Sequence, residues 1–378
     1  MGNIKPIEYD NFIVVKDDDI SEDLNKIIIQ RISALTNYYG RVTGKLLTNK
    51  YVIFINQFKL SSSGDYAGGL LGNQVQLTLS KGSGDFTDPH FLSLNYLVAH
   101  ELFHLWNASL FTHKGSSWLH EGSADYMAYT ALLDLGMISK EVYDKEVEES
   151  LNICASRLGK YSIEQADENN DNDMIYNCGS FIHYSVDKFY GDKSAMKIWE
   201  TLFSNREKFG YYNSKDWFKA LNMRFSDKQY NDTLFSLVNN LVKTDLIIEQ
   251  FKTLGWHIKE TLVTTKNHNF QLASDMFKHL MIVDCGGFDF NLPEDVFFIN
   301  DLKCKQFKAG LVVSIDGYDH FDENSADMYN EVRGKCLTSK PIMIKMSDGQ
   351  ELEFICSDAP RKLLPYLALI HDQPNDVR

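Results

Sequence analysis

Apolar residues recur at helical spacing in Leu24, Ile27, Ile28, Ile32 and Leu35, behind a serine, Ser21, placed to cap the first turn. Tyr51 to Ile55 is a continuous apolar run of strand length. Val75, Leu77 and Leu79 then alternate with Gln74, Gln76, Thr78 and Ser80, which predicts a strand with one wet face. Asp88-Pro89 supplies an N-cap and a first-turn proline for a helix carrying Phe91, Leu92, Leu94, Leu97, Val98, Leu102, Leu105 and Trp106. A second helix is predicted from Trp118 to Leu135, capped by Ser117 and closed by Gly136. From about residue 121 to 262 the pattern stays mostly helical, with Leu234, Leu237, Val238 and Leu241 as one stripe. After about residue 266 it breaks into short strands and turns at 286–290, 296–299, 308–317, 341–346 and 351–355, with a helix near 326–332.

Composition narrows the class without naming it. At 378 residues the chain is long enough for two domains and a large core, and 44% hydrophobic with 24% charged residues is ordinary for a globular protein. A net charge of −14 argues against a nucleic-acid partner, because phosphates would be repelled. No apolar run approaches the roughly 20 residues of a membrane span. The start, Met1 to Pro6, carries no signal-peptide core, and Pro6 stands where myristoylation expects serine or threonine. Cysteines at 154, 178, 285, 304, 336 and 356 form no C-x-x-C pair; they suit disulfides or buried thiols equally. With a leader trimmed, a secreted or periplasmic location is favoured, and otherwise a cytoplasmic one. Asp167 to Asp173 reads as an acidic, solvated loop.

The chemistry concentrates in His100-Glu101-Leu102-Phe103-His104, an H-E-x-x-H motif. On a helix, His100 and His104 lie one turn apart and reach one metal ion. Glu101 falls about 100° further round, suited to act as general base rather than ligand. The competing reading is a buried helix that happens to carry two histidines. Glu121, early in the next helix, is the expected third ligand, leaving a fourth position for water as in catalytic zinc sites. Its neighbour His120 is the alternative. Asp125, one turn after Glu121, is placed to accept the second ring N–H of a ligating histidine.

Val98 to Asn107 resembles the active-site helix of the glycyl-aminopeptidase family, a gluzincin branch related to aminopeptidase N and leukotriene hydrolase. Trp118-Leu119-His120-Glu121-Gly122 is similar to the W-L-x-E-G ligand signature of those enzymes. Sixteen residues, 105 to 120, separate His104 from Glu121, two fewer than in the aminopeptidase N pattern. Tyr176-Asn177-Cys178-Gly179 resembles their Y-x-x-G segment. The resemblance implies that Tyr176 donates to the oxyanion; Tyr184 and His183 are its competitors. It further implies that the strand near Val75 to Leu79 is a sheet edge binding substrate, with Gly68, Gly69, Gln74 and Gln76 as contacts. Aligned on the family's G-x-M-E-N motif, Gly69 to Asn73 carries Gly72 where the amine-binding glutamate stands. The Ala309-Gly310-Leu311 and Ser314 to Gly317 segments look like a PDZ domain, which relatives also carry, although Gly286-Gly287-Phe288 is a loose match to its carboxylate-binding loop.

The expectation is thus an α+β protein. Residues 1–265 form a gluzincin (thermolysin-like) catalytic domain with a mixed sheet lobe and a helical lobe. Residues 266–378 form a smaller β-rich, PDZ-like domain. The expected activity is zinc-dependent hydrolysis of a peptide or protein substrate, by an endopeptidase or an unusual aminopeptidase. Zn2+ is the cofactor, and a C-terminal peptide is the candidate PDZ ligand. The alternatives are an inactive peptide-binding protein and a zinc hydrolase with a non-peptide substrate.

Overall fold

A computed structural model describes residues 6–58, 66–80, 88–261, 266–285, 290–291, 297–299, 305–306, 310–319, 323–356 and 358–370. The expected loop at 61–65, the glycines at 286–287 and the side chains of Asp88 and Pro89 lie outside the described residues. Two compact units emerge, Met1–Ile258 with Leu369–Arg378, and Lys259–Ala368.

The first unit opens with a five-stranded mixed sheet. Its strands are β1 (Ile7–Glu8), β2 (Phe12–Lys16), β3 (Tyr51–Phe58), β4 (Tyr66–Leu71) and β5 (Gln74–Ser80), in the order β1-β2-β3-β5-β4. β2, β3 and β5 run parallel, with Ile53 beside Val14 and Val75, and these three side chains are completely buried. Between β2 and β3 runs α1 (Glu22–Val42). Ser21 caps it as its position predicts, Oγ accepting from the Leu24 N–H at 3.2 Å.

One expectation is corrected here. The alternating run is not the sheet edge: β5 is hydrogen-bonded to β3 on one side and to β4 on the other. The turn at Gly72-Asn73, with Gly72 at φ +64°, folds β4 and β5 into a hairpin, so β4 ends the sheet.

The helical part begins with α2 (Asp88–His104), which runs directly into a π-helical turn, Leu105–Leu110. β6 (Thr112–His113) and α3 (Ser117–Asp134) come next, then α4 (Lys140–Arg157). A second π-helical turn, Met174–Cys178, opens into α5 (Gly179–Tyr190). α6 (Ser194–Phe209), β7 (Tyr211–Tyr212), α7 (Ser214–Arg224), α8 (Lys228–Asn239) and α9 (Ile247–Thr253) complete it. Trp106, Trp118, Trp199 and Trp217 are completely buried in this part. Full burial of a large apolar side chain stabilises by about 1.5–3 kcal/mol, so these tryptophans are major anchors of the fold. α1 is tied to α2 by the Tyr39 hydroxyl, which donates to the Ala99 carbonyl at 2.9 Å.

Residues 167–170 and 172 are exposed, as the acidic, solvated reading expects, with a short 3-10 turn at Asp167–Asn169, but three of the acids also bond to the framework. Asp167 accepts from the Ser117 N–H at 2.6 Å, supplying the α3 N-terminus with the acceptor expected from Ser117 itself. Asp171 accepts from the Met174 N–H, and Arg157 forms ion pairs with Asp171 and Asp173. Asp167, Asp171 and Asp173 thus brace the framework, while Glu168 is exposed. A disulfide, Cys154–Cys178, joins the last turn of α4 to the turn before α5.

The short strand β8 (Ile258–Thr261) leads into the second unit. Its first helix, α10 (Lys266–Cys285), is not anticipated by the reading of strands and turns, although Leu272, Met276 and Leu280 share one face. β9 (Phe290–Asn291), β10 (Phe297–Ile299), β11 (Gly310–Ile315), β12 (Ile342–Met346) and β13 (Glu351–Phe354) form an antiparallel sheet, with α11 (Ser325–Leu337) inserted after β11. Val312, Ile342 and Ile344 of the sheet pack with Met276, Phe277, Met328 and Val332 of the two helices. A second disulfide, Cys336–Cys356, links the end of α11 to the segment after β13. The strand β14 (Tyr366–Leu369) returns the chain to the first unit. Among the described residues, no helix is long and apolar enough to cross a membrane.

α3 meets α5 at two glycines. A Cβ on Gly122 would fall 2.3 Å from the Gly179 backbone, and one on Gly179 would fall 2.2 Å from the Trp118 carbonyl oxygen. Backbone cannot yield as a side-chain tip can. Gly179→Ala is therefore expected to cost roughly 1–3 kcal/mol through overpacking, read as a lowered Tm. Gly334→Ala, in α11 with open space around it, is expected to hold or raise Tm by the ordinary helix preference for alanine.

Candidate active site

α2 presents His100 and His104 on one face, and α3 brings Glu121 opposite them. Both histidines are 5% exposed, too buried to be surface residues. His100 Nε2 lies 3.1 Å from His104 Nε2 and 3.2 Å from Glu121 Oε2, which is 3.4 Å from His104 Nε2.

Partners behind the rings decide what those nitrogens offer. His100 Nδ1 lies 2.8 Å from Asp125 Oδ1, and a carboxylate can only accept there. His104 Nδ1 lies 2.9 Å from Asn107 Oδ1. The Asn107 amide is oriented by its own N–H groups, which donate to the His120 carbonyl at 2.9 Å and to Ser123 Oγ at 3.0 Å. Each ring in its neutral form thus carries hydrogen on Nδ1 and points an Nε2 lone pair inward. Two lone pairs and a carboxylate oxygen crowded together repel, unless a proton or a cation lies between them. A tetrahedral zinc with donors at about 2.0–2.1 Å holds those donors about 3.3 Å apart, so the three atoms fit that ion.

Glu101 stands beside this group, 7% exposed, and its Oε2 has no hydrogen-bond partner among the described residues. Burial pushes its carboxyl above the usual range, opposed by the positive charge of His100 and His104. β4 reaches it at Gly68, where a Cβ would lie 2.4 Å from Glu101 Cγ and Oε1. Gly68 is thus a residue on which another side chain rests. Gly69, opposite Gln76, points to the other face, where a Cβ would meet nothing within 4 Å. Gln74 and Gln76 are exposed on that far face, since Val75, Leu77 and Leu79 occupy the buried one. Strand alternation thus turns Gln74 and Gln76, the expected contacts, away from Glu101.

Tyr176, in the π-helical turn before α5, does reach the group. Its ring lies 5.9 Å from the His100 ring at 28°, and its phenol is within electrostatic reach of the Glu121 carboxylate. Burial, with the charges of Glu121 and Asp125, holds the phenol well above its ordinary range, so it remains a donor at neutral pH. His183 and Tyr184 do not compete. His183 is completely buried, bonded to the Gly179 carbonyl and the Trp199 indole N–H, while Tyr184 faces the aromatic rings of Tyr126 and Tyr143. His120 stacks on His104 at 4.4 Å and on His113 at 5.3 Å, outside the three-donor group. Burial, then the charge of His104, pushes it down to about 3. Sequence reasoning missed Asn107, although it stands three residues after His104 in the quoted block.

No family model matches the sequence, and no curated protein sequence matches it. By structure, the chain is similar to the crystal structure of an aminopeptidase N family protein from Idiomarina loihiensis. The TM-score is 0.62 at 14% identity, covering 98% of this chain and 69% of that one. The fold is aminopeptidase N-like. An M1 zinc metallopeptidase from Deinococcus radiodurans is matched over 61% of this chain and 48% of that one, with a TM-score of 0.41 and 13% identity.

Within this aminopeptidase N-like fold, the three donors are electrostatically coupled. Burial opposes charge on His100, yet its hydrogen bonds to Asp125 and Glu121 outweigh that and push it up to about 10. Burial raises Glu121, but its bonds to His100 and His104 win and hold it far below the carboxylate range. A cation entering the group must displace the proton that His100 otherwise keeps until about pH 10. Zinc affinity is expected to rise about tenfold per pH unit above neutrality, with about one proton released per ion. Chelator competition across pH measures this, and a flat profile would contradict it.

Proposed function

We propose that the chain is a zinc-dependent peptidase in which His100, His104 and Glu121 hold the metal and Glu101 is the general base. The observation that carries this reading is the buried, unpartnered Glu101 Oε2 beside three converging donors. A burial of that kind costs stability, and ionisable groups held so cluster at sites of proton transfer. Zinc held by these side chains supplies Lewis acidity toward water and a carbonyl oxygen. Glu101 takes the proton of the attacking water, aided by a carboxyl already raised above its ordinary range, and returns it to the leaving amine. Tyr176 donates its hydroxyl to the carbonyl oxygen as negative charge develops there. Asp125 holds the His100 ring.

Substrate is proposed to lie along β4, the sheet edge that carries Gly68 past Glu101. Gly72 offers no carboxylate for a substrate amino group; it sits in the β4–β5 turn with open space where a side chain would be. That supports internal cleavage over strict removal of the first residue. For residues 266–378 the PDZ-like reading is kept as a proposal, with a C-terminal peptide as ligand. It is supported by a helix, α11, placed between β11 and β12 of the antiparallel sheet. The carboxylate-loop candidate at 286–288 lies outside the described residues.

Glu101→Gln is expected to lower peptide hydrolysis about 10²–10⁴-fold while zinc content stays near one per chain. Mass-spectrometric mapping of cuts in a mixed peptide library checks it. Unchanged cleavage by the variant would remove Glu101 as base, and peptide binding without turnover by zinc-loaded wild type would favour an inactive binding protein. Gly68→Ala, which drives a methyl group into the Glu101 carboxyl, is expected to lower kcat on the order of 10²-fold with zinc content unchanged. An unaltered kcat would show that β4 does not fix the base.

A further inference from the structure

Asp125 is shared. Its Oδ1 accepts from His100 Nδ1 at 2.8 Å and also from the hydroxyl of Tyr96. Tyr96 stands four residues before His100 on α2, so both donors leave the same helix face and meet one oxygen of α3. The Tyr96 ring is stacked on Tyr129 at 4.9 Å and 28°, and the buried Tyr129 phenol lies within electrostatic reach of Glu146. A carboxylate with a single donor can turn about a broad, two-fold torsion and offer either oxygen. Two donors on one rigid helix leave it one orientation. Tyr96 is not among the three converging donors; its ring lies 5.7 Å from the His100 ring, and its hydroxyl is bonded to Asp125, which bonds to His100.

We propose that Tyr96 is a positioning residue for the metal centre: its hydroxyl locks Asp125 so that His100 keeps hydrogen on Nδ1 and aims Nε2 inward before the ion arrives. The inference rests on the metal-site reading above. It differs from a packing role, because packing needs only the ring, and phenylalanine supplies the ring.

Tyr96→Phe is therefore the test, in the full chain, with zinc affinity read by chelator competition and the cobalt-substituted protein read by its visible absorption. The variant keeps the stack on Tyr129, so the fold is expected to survive. Zinc affinity is expected to weaken about 10- to 100-fold, the usual effect of losing a partner behind a ligating histidine. The cobalt spectrum is expected to change with it. Asp125→Ala is expected to weaken zinc at least as much, and adding Tyr96→Phe to it to do nothing further, since Tyr96 acts through Asp125. Wild-type affinity in Tyr96→Phe would overturn the inference while leaving the metal centre intact. So would losses in the double variant equal to the product of the two single losses. A wild-type chain that takes up no zinc, or takes it up equally after His104→Ala, would overturn the metal-site reading and this inference together.

Discussion

Three electron-rich atoms aimed at one point repel each other, and everything around the centre exists to hold them there. His100 Nε2, His104 Nε2 and Glu121 Oε2 lie 3.1–3.4 Å apart with their lone pairs converging. In the neutral form that would bind an ion, no pairwise attraction among the rings and the carboxylate accounts for this arrangement; without an ion, the proton that His100 keeps bridges it to Glu121. The arrangement is imposed from outside, by acceptors that fix the far side of each ring and by two helices that cannot rotate. The two rings are held differently: an acid stands behind His100 and a neutral amide behind His104. Behind the rings, negative charge is therefore placed on the His100 side only, and the amide fixes the tautomer of His104 without adding to the desolvation cost of buried ions.

Holding α2, α3 and α5 this close requires space that side chains would fill. Gly122 and Gly179 let the helix bearing Glu121 touch the turn bearing Tyr176, and Gly68 lets β4 lie against Glu101. The disulfide Cys154–Cys178 and the pairs of Arg157 with Asp171 and Asp173 hold the Tyr176 turn from behind. The site is assembled from backbone approaches as much as from functional groups. The two π-helical turns stand next to it, Leu105–Leu110 carrying Asn107 and Met174–Cys178 carrying Tyr176. The wider winding of a π-helical turn rotates its side chains away from the directions of ordinary helical spacing, and Asn107 and Tyr176 take their aim from that rotation.

That is also why some of the site is legible in the sequence and some is not. His100, Glu101, His104, Glu121 and Asp125 lie at ordinary helical spacings, so their convergence comes from period alone once two helices are recognised. Asn107 lies in a π-helical turn, where that period no longer applies, and Tyr96 becomes visible only when Asp125 is seen to have two donors. The alternation around Val75 shows a two-faced strand, but which neighbour pairs with which edge depends on topology, and alternation says nothing about that. α10 is hidden because the strand pattern farther along the chain dominates its surroundings. The acids at 167–173 are exposed or half-exposed, as their composition suggests, but a sequence cannot show that Asp171 and Asp173 pair with Arg157 or that Asp167 accepts from the Ser117 N–H.

The second compact unit is an insertion rather than an appendage. The chain leaves the first unit at Ile258 and is back in it at Leu369, whose N–H donates to Glu148, while the Ile370 N–H donates to the His257 carbonyl at 2.9 Å. A protein cut at residue 258 would therefore lose two backbone ties of the unit that remains. To remove the second unit cleanly, residue 258 must be spliced to residue 369 through a short linker, so that the returning strand end is kept. By the same token, the chain passes between the units at two places, 258–259 and 368–369, so a single nick at the first leaves residues 369 and 370 to the fragment that carries the inserted unit.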